Sequence, residues 1–437
     1  MAVIEEDKLG GVCLNRGCIP SKSLIAGANL YQKMKHSRDF GINLAVDPTV
    51  DWPAMLERKD KIVKGLVGGI GALFKNYKVD HYNGFGRLKP KNSLVVETED
   101  GGETEIEGKN LIIATGSRPA IIPTFPLDGV NVLSSDHLLL MEKLPESMLI
   151  IGAGVIGCEW AFMLAQLDVK VEMVEMMPRA LPMEDEMSST LITRELKKVK
   201  VKVHTGTKVE KLEPAGNLIG AVLSDGSKLE VAKVLVSIGR AFNTADIGLD
   251  KIGIKLNKNG SIAVNDLMQT NIKNIYAIGD AAGRSMLAYT AVAEGAVAVD
   301  NCLGENNKID YRGVPSVIFT HPEVASVGLT ESEAREKYKD ITVGSFPMRA
   351  LGKAHAEGEI AGEVKVIADA ENDKILGVHI VGPHATEVIH TAALAIKNNL
   401  TVSQLGSLTF AHPVISEALM EACHNVHKMS VHLPGQR

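Results

Sequence analysis

Aromatic residues make up only 4% of the 437-residue chain, and the basic residues do not outnumber the acidic ones, with 47 Lys and Arg against 53 Asp and Glu. The resulting net charge of -6 removes any general electrostatic reason to bind nucleic acid or an anionic membrane. No apolar run approaches the ~20 residues that span a bilayer. The N-terminus "MAVIEEDKLGG" has neither the build of a secretory signal nor that of an Arg-rich presequence, so a cytoplasmic location is expected. Cysteine is scarce too, at five residues. Three of them, Cys158, Cys302 and Cys423, lie scattered in apolar or mixed surroundings, which argues against a disulfide scaffold and reads as buried small hydrophobes.

What is present points to a multidomain α/β protein. The length suits roughly three domains, and 45% hydrophobic residues with 41 glycines fit a chain rich in tight turns. Helical spacing begins after Pro20 in "LIAGANLYQKMK" and recurs from Lys59 to Tyr77. Short strands follow in "SLVVETE" and "KNLIIATG". From Pro145 to Glu175 the order is strand, glycine turn, long helix and strand, a βαβ unit. "NLIIATGSRP" and "VLVSIGRAFN" echo one another, as two related nucleotide-binding modules would. After Val314 the strands "SVIFTHPEVASVG", "EVKVIAD" and "KILGVHIVG" alternate in an antiparallel manner before helices return, which predicts a separate α+β domain.

Within the βαβ unit, Gly152, Gly154 and Gly157 form GxGxxG between strand and helix, and Glu175 closes the next strand at about the ~20-residue interval of a ribose-binding acid. The helix N-terminus offers unpaired N–H groups and a positive dipole end to a pyrophosphate. An acid at Glu175 repels a 2′-phosphate, so NAD is favoured over NADP. The other two cysteines, Cys13 and Cys18, sit five apart in "LGGVCLNRGCIP". One regular helix would hold them about 7.5 Å apart along its axis, beyond the ~7 Å limit for a disulfide, so a bond needs an irregular turn. Gly10, Gly11 and Gly17 permit one, and a helix starting at Pro20 would set Cys18 where the dipole favours thiolate. The pair reads either as a redox dithiol or as two ordinary thiols. "FAHPVISEALMEA" allows the same division: His412 oriented by Glu417 as a general base, or a helix-start histidine beside a solvated acid.

"LGGVCLNRGCIPSK", "ATGSRP", "IGAGVIGCE", "YAIGDAAG", "FTHPEVASVG" and "HPVISE" together, in this order, resemble the pyridine nucleotide-disulfide oxidoreductases over nearly the whole chain, and most of all the branch that oxidises dihydrolipoamide. The resemblance implies two Rossmann-like domains, for FAD and NAD, and a C-terminal α+β dimerisation domain. The boundaries it suggests are 1–120 for the FAD domain, 121–244 for the NAD domain, 245–314 for a return segment of the FAD domain, and 315–437 for the interface domain. It implies that Cys13 is the interchange thiol and Cys18 the charge-transfer thiol. His412, held by Glu417, would be the base reaching the cysteines of the other subunit, and Lys22 with Glu159 an ion pair beside the flavin. For FAD it points to Glu5, Lys22, Thr115, Gly116, Asp280, Leu287 and Ala288; for NAD, to Gly152, Gly154, Gly157, Glu175 and Gly239. The implied partners are lipoyl domains of 2-oxo acid dehydrogenase or glycine cleavage complexes, or a small dithiol, with no nucleic acid, membrane or metal.

Relatives in the mercuric and glutathione reductase branches fit less well. The first typically carries a C-terminal cysteine pair that "CHNVHKMSVHLPGQR" lacks, and the second favours NADP. One departure from the family is large: members open with a strand, a GxGxxG turn and a helix that grip FAD, whereas this chain opens at the strand "AVIEE" that follows them. The expectation from that departure is an N-terminally truncated FAD domain, with an inactive, flavin-free NAD-binding fragment as the alternative to an active dehydrogenase.

Overall fold

The computed structural model describes residues 1–90 and 92–434. Its largest parallel sheet has five strands in the order Lys202–Thr205, Lys170–Glu175, Ser147–Ile151, Lys233–Val236 and Val132–Leu133. Met148, Leu149, Ile150 and Val234 are fully buried, as expected of parallel strands covered on both faces. Helix Val155–Gln166 packs on this sheet and is apolar around most of its circumference, because helix Cys18–Lys35 covers its outer side. A three-stranded antiparallel meander, Val209–Ala215, Leu218–Leu223 and Lys228–Val231, closes the other face.

The N-terminal region and the segment after Thr244 share one apolar cluster, in which Leu88, Val96 and Ile113 meet Ile247, Ile262 and Ile275. Two parallel pairs lie here, Ala2–Glu5 with Asp80–Asn83 and Leu111–Ile113 with Ile275–Ala277, beside an antiparallel meander from Phe85 to Glu107. The helix expected from Lys59 begins earlier, at Trp52: Asp51 caps it by accepting from Ala54 N at 3.0 Å, and Pro53 sits in the first turn, where no N–H is missed. The two echoed segments end in strands Ser117–Pro119 and Arg240–Phe242, which pair with each other antiparallel. They form the crossing between the five-stranded parallel sheet and the N-terminal region.

The C-terminal region is a five-stranded antiparallel sheet ordered Ser316–Ile318, Glu323–Gly328, Ile375–Gly382, Glu363–Asp369 and Ile341–Pro347. Helices Ala385–Lys397 and Glu417–Val426 cover it around a core that includes Phe346, Val378, Ile389 and Leu419. Gly344 allows the second helix to approach, since a Cβ there would lie 2.3 Å from Val426 N. The fold class read from the sequence, a mixed α/β protein with a C-terminal α+β domain, is the one observed. Among the described residues, no helix is long and apolar enough to cross a membrane, and no cluster of three His, Cys, Asp or Glu could hold a metal. Cys158 and Cys423 are buried as expected, while Cys302 is only half-buried.

Candidate active site

Cys13 and Cys18 are disulfide-bonded, with Cα atoms 4.7 Å apart. The irregular turn this requires falls at Gly17 (φ −131°, ψ −105°), between helix Gly11–Arg16 and helix Cys18–Lys35. A Cβ at Gly17 would lie 3.2 Å from Val12 O, so glycine keeps the break compact. The second helix starts at Cys18 itself rather than after it, which places that sulfur in the first turn of an 18-residue dipole. Ser21 Oγ donates to Gly17 O at 2.8 Å and braces the turn.

One turn further on, Lys22 Nζ donates to both oxygens of Glu159, at 2.9 and 2.7 Å. Glu159 is buried on helix Val155–Gln166 and also accepts from Phe319 N at 2.9 Å, while Lys22 Nζ stands 4.7 Å from the Phe319 ring centroid. Three separate parts of the chain therefore meet on one carboxylate. Lys22→Met would leave that carboxylate buried with a single backbone donor. The variant is expected to lose about 3 kcal/mol of stability, measured by chemical denaturation, and adding Glu159→Leu should restore most of the loss. A single variant as stable as the parent would show that the carboxylate does not tie these parts together.

The glycine turn is built as GxGxxG requires. Gly152 adopts φ +101°, and a Cβ at Gly157 would come within 2.0 Å of Gly152 O. Gly154 is the N-cap of helix Val155–Gln166, and a Cβ there would meet nothing within 4 Å. Open space thus faces unpaired N–H groups, as a pyrophosphate needs. Glu175 is buried, with one oxygen accepting from Ala153 N at 2.7 Å and the other from Met177 N at 2.8 Å. It braces the glycine turn while keeping lone pairs for hydroxyls. Arg179 Nη2 donates to both Pro182 O and Glu184 O, which ties that end of this nearby guanidinium to its own loop. Gly239 lies at φ +119° in the turn after Ser237, whose Oγ bonds Ile151 O and Gly152 O.

The residues expected at FAD fall on the other side of the crossing. Thr115 Oγ1 donates to Asn243 O at 2.7 Å, and Gly116, at φ +69°, has open space where a Cβ would stand. Asp280 accepts from Ser117 Oγ and lies 3.8 Å from Arg240 Nε. Leu287 is the N-cap of helix Ala288–Cys302. Glu5 ends the first strand and accepts from Asp7 N at 3.0 Å; burial pushes its carboxyl above the ordinary value. This open backbone turn, fixed acid and helix N-terminus fit a dinucleotide. Sequence reasoning missed Arg240, Phe319 and Glu294. Glu294 is fully buried, accepting from Gly279 N at 2.6 Å and Tyr311 OH at 2.7 Å, and so fixes the turn that carries Asp280. An acid inside the apolar run "AVAEGAVAV" was its available signal.

His412 Nδ1 bonds Glu417 Oε1 at 2.8 Å, and Glu417 Oε2 accepts from Val414 N at 2.9 Å. Burial pushes the Glu417 carboxyl up, but the bonds from His412 and Val414 outweigh it and hold the group below its ordinary range. The carboxylate is therefore ionised at neutral pH, and what it adds to stability is lost only as pH falls through that lowered value. The His412 side chain is 80% exposed. Among the described residues, no hydrogen bond or ion pair joins it to the cysteine segment of its own chain.

Residues 1–295 match the family described as pyridine nucleotide-disulphide oxidoreductase, and residues 314–423 match its dimerisation domain. The chain belongs to the pyridine nucleotide-disulphide oxidoreductases. FAD and NAD are the cofactors of this family, and its dimerisation domain supports a homodimer. Among similar members, a dihydrolipoyl dehydrogenase of Chlamydia pneumoniae is 39% identical, the match covering 99% of this chain and 93% of that protein. One from Bacillus subtilis is 40% identical over 99% of this chain and 94% of its own length. Among solved oxidoreductase structures, LpdA from Mycobacterium tuberculosis superposes with a TM-score of 0.91 at 26% identity, covering 97% of this chain and 93% of that one. The HOCl-induced flavoprotein disulfide reductase RclA from Escherichia coli gives 0.85 at 28% identity, over 97% and 93%.

Proposed function

We infer that the protein is an NAD-dependent dihydrolipoyl dehydrogenase that oxidises dihydrolipoyl groups to lipoyl groups through its redox disulfide. The observation that carries this reading is the Cys13–Cys18 disulfide at the start of a helix, in a chain whose similar relatives bear that name. A dihydrolipoyl thiol gives its proton to His412, and the resulting thiolate attacks Cys13 Sγ. The Cys13–Cys18 bond breaks, and Cys18 leaves as a thiolate favoured by the helix dipole. The second substrate thiolate then attacks the mixed disulfide, forming the lipoyl bond, while Cys13 takes the second proton. Two electrons and two protons have passed to the protein: a thiol at Cys13, a thiolate at Cys18 and a protonated His412. FAD, when bound, supplies the two-electron carrier between the cysteine pair and NAD.

The assigned roles are those expected from the sequence. Glu417 holds one tautomer of His412. The exposure of that imidazole and the dimerisation domain support a base that acts on the disulfide of the second subunit. Lys22 and Glu159 sit beside the flavin as a fixed charge pair. Residues 1–120 and 245–314 form the FAD domain, 121–244 the NAD domain and 315–437 the interface domain. Glu5, Thr115, Gly116, Asp280, Leu287 and Ala288 hold FAD; Gly152, Gly154, Gly157, Glu175 and Gly239 hold NAD. The partners are lipoyl domains of 2-oxo acid dehydrogenase or glycine cleavage complexes, or a small dithiol, and the site of action is the cytoplasm.

The deciding experiment is dihydrolipoamide oxidation by protein purified with FAD, with flavin content measured alongside. NAD-linked turnover by flavin-loaded dimers is expected, with NADP a poor substitute. Protein that binds NAD but neither holds flavin nor turns over would overturn the reading. Glu175→Ala should lower kcat/KM for NAD by ~10- to 100-fold, since charge-assisted hydrogen bonds of ~1.5–3 kcal/mol are lost at the nucleotide turn. Unchanged NAD kinetics would remove Glu175 from the site.

A further inference from the structure

The loop between Glu175 and Asp185 backs the glycine turn, and both of its ends are fixed. At the first end Glu175 accepts from Ala153 N, the N–H between Gly152 and Gly154. In the middle, Leu181 N donates back to Ala153 O at 2.8 Å. Leu181 is buried and stands at φ +48°, a left-handed conformation that a large side chain keeps only where its surroundings over-determine it. Glu184 N donates to Leu181 O at 3.0 Å, which closes the turn onto the far end. There Asp185 is 2% exposed, and it caps helix Glu186–Lys198 by accepting from Met187 N at 3.0 Å. The C-terminal region reaches it twice. Lys365 Nζ lies 2.9 Å from Asp185 Oδ1 and 2.6 Å from Glu331 Oε2, and Glu331 N donates to Asp185 Oδ2 at 3.0 Å. Lys365 and Glu331 both fall within residues 314–423, the segment matched by the dimerisation domain.

We propose that Lys365 is a positioning residue for NAD: by holding Asp185 it fixes the loop that carries Leu181 against Ala153, and so sets the glycine turn from the dimerisation domain. The path is short and bonded at every step. It runs from Lys365 to Asp185, from Glu184 to Leu181, and from Leu181 to the residue whose N–H Glu175 holds from the other side. Loss of the ammonium would strand a buried carboxylate and free the loop end. The strained turn at Leu181 could then relax, and the N–H groups it backs would lose their aim. Burial pulls the Lys365 ammonium down, but its bonds to Glu331 and Asp185 outweigh this and hold it above the ordinary lysine value, so the contact is charged at neutral pH. Two other contacts join these regions. Phe319 N bonds Glu159, which lies on the helix after the glycine turn and not on this loop. Ser316 Oγ meets Glu184 Oε1 at 3.4 Å, a longer bond to one end of the loop. Lys365 is therefore the charged link that fixes it.

The inference rests on the Gly152–Gly157 turn being the NAD site, and its test reads NAD binding directly. NAD is titrated calorimetrically into the oxidised, flavin-loaded dimer of the parent, of Lys365→Met and of Lys365→Met/Asp185→Asn. The double variant removes the stranded charge but keeps the cap, since an amide oxygen still accepts from Met187 N, and Glu331 still pairs with Arg335 at 2.6 Å. It carries the test if Lys365→Met does not fold. Both variants are expected to raise the Kd for NAD about 10-fold, and KM for NAD with it, while kcat at saturating NAD and KM for dihydrolipoamide stay within about twofold of the parent. A Kd unchanged in both variants overturns the inference. So does a double variant that binds as the parent does while Lys365→Met does not, because the stranded charge alone would then account for the loss. A fall in kcat with NAD affinity intact overturns it as well. A parent that binds no NAD overturns the nucleotide reading itself, and the inference with it.

Discussion

Cys18→Ser is expected to lower dihydrolipoamide oxidation by roughly 10⁴-fold or more while leaving the chain folded and able to bind NAD. Serine cannot close a disulfide, so the substrate's two electrons meet no acceptor, and the loss is of the reaction path itself. Cys18 lies in the first turn of its helix, and the turn at Gly17 is held by Ser21, so removing the sulfur leaves the local backbone bonds in place. The Gly152–Gly157 turn is built from other strands and is untouched. Thiol titration under denaturing conditions provides the check. The parent should show three reactive thiols when oxidised, from Cys158, Cys302 and Cys423, and five after reduction by NADH. The variant should show four in both states. A variant that retains substantial turnover would mean that the cysteine pair is structural.

The second large effect is expected at the base. His412→Gln should reduce kcat/KM for dihydrolipoamide by ~10²- to 10⁴-fold, the usual contribution of a placed proton acceptor. Reduction of an artificial acceptor by NADH, which needs no thiol deprotonation, should remain near the parent rate. Glu417→Gln should cost less, about 10- to 100-fold, because the imidazole stays in place but loses a charge-assisted bond. The ordering of these two variants is itself informative. If Glu417→Gln were the more damaging, the carboxylate would have a role beyond orienting its histidine. Mixing inactive Cys18→Ser and His412→Gln subunits offers a further check, because a base acting across the dimer restores one working site in each mixed dimer.

The parts of this site that could be read from the sequence are those in which chemistry is compressed into a short segment. Cys13 and Cys18 are five residues apart, His412 and Glu417 likewise, and the glycine turn with its acid spans one βαβ unit. In each case local geometry nearly fixes the arrangement. The supporting contacts are different. Arg240 reaches Ser117 across 123 residues, and Phe319 N reaches Glu159 across 160. Such contacts depend on how separate units dock, which periodicity does not encode. The parallel sheet follows from strand–helix–strand alternation, but the order of the C-terminal strands does not, since antiparallel neighbours can be joined in several ways. Even the helix from Trp52 was legible only in part: its helical spacing could be read from Lys59 in spite of the glycines, whereas its start depended on a cap at Asp51.

The carboxylate of Glu159 also acts as a ruler. It sits five residues past Gly154 on the same helix, about 7.5 Å along the axis from the nucleotide turn, and its far end grips the helix that begins at Cys18. The helix that opens at the disulfide and the helix that opens at the glycine turn are thus two rods clamped to each other, and the clamp is in turn held by the C-terminal region through Phe319 N. The interval between the disulfide and the glycine turn is set by helical rise and one ion pair, and assembly of the C-terminal region calibrates it.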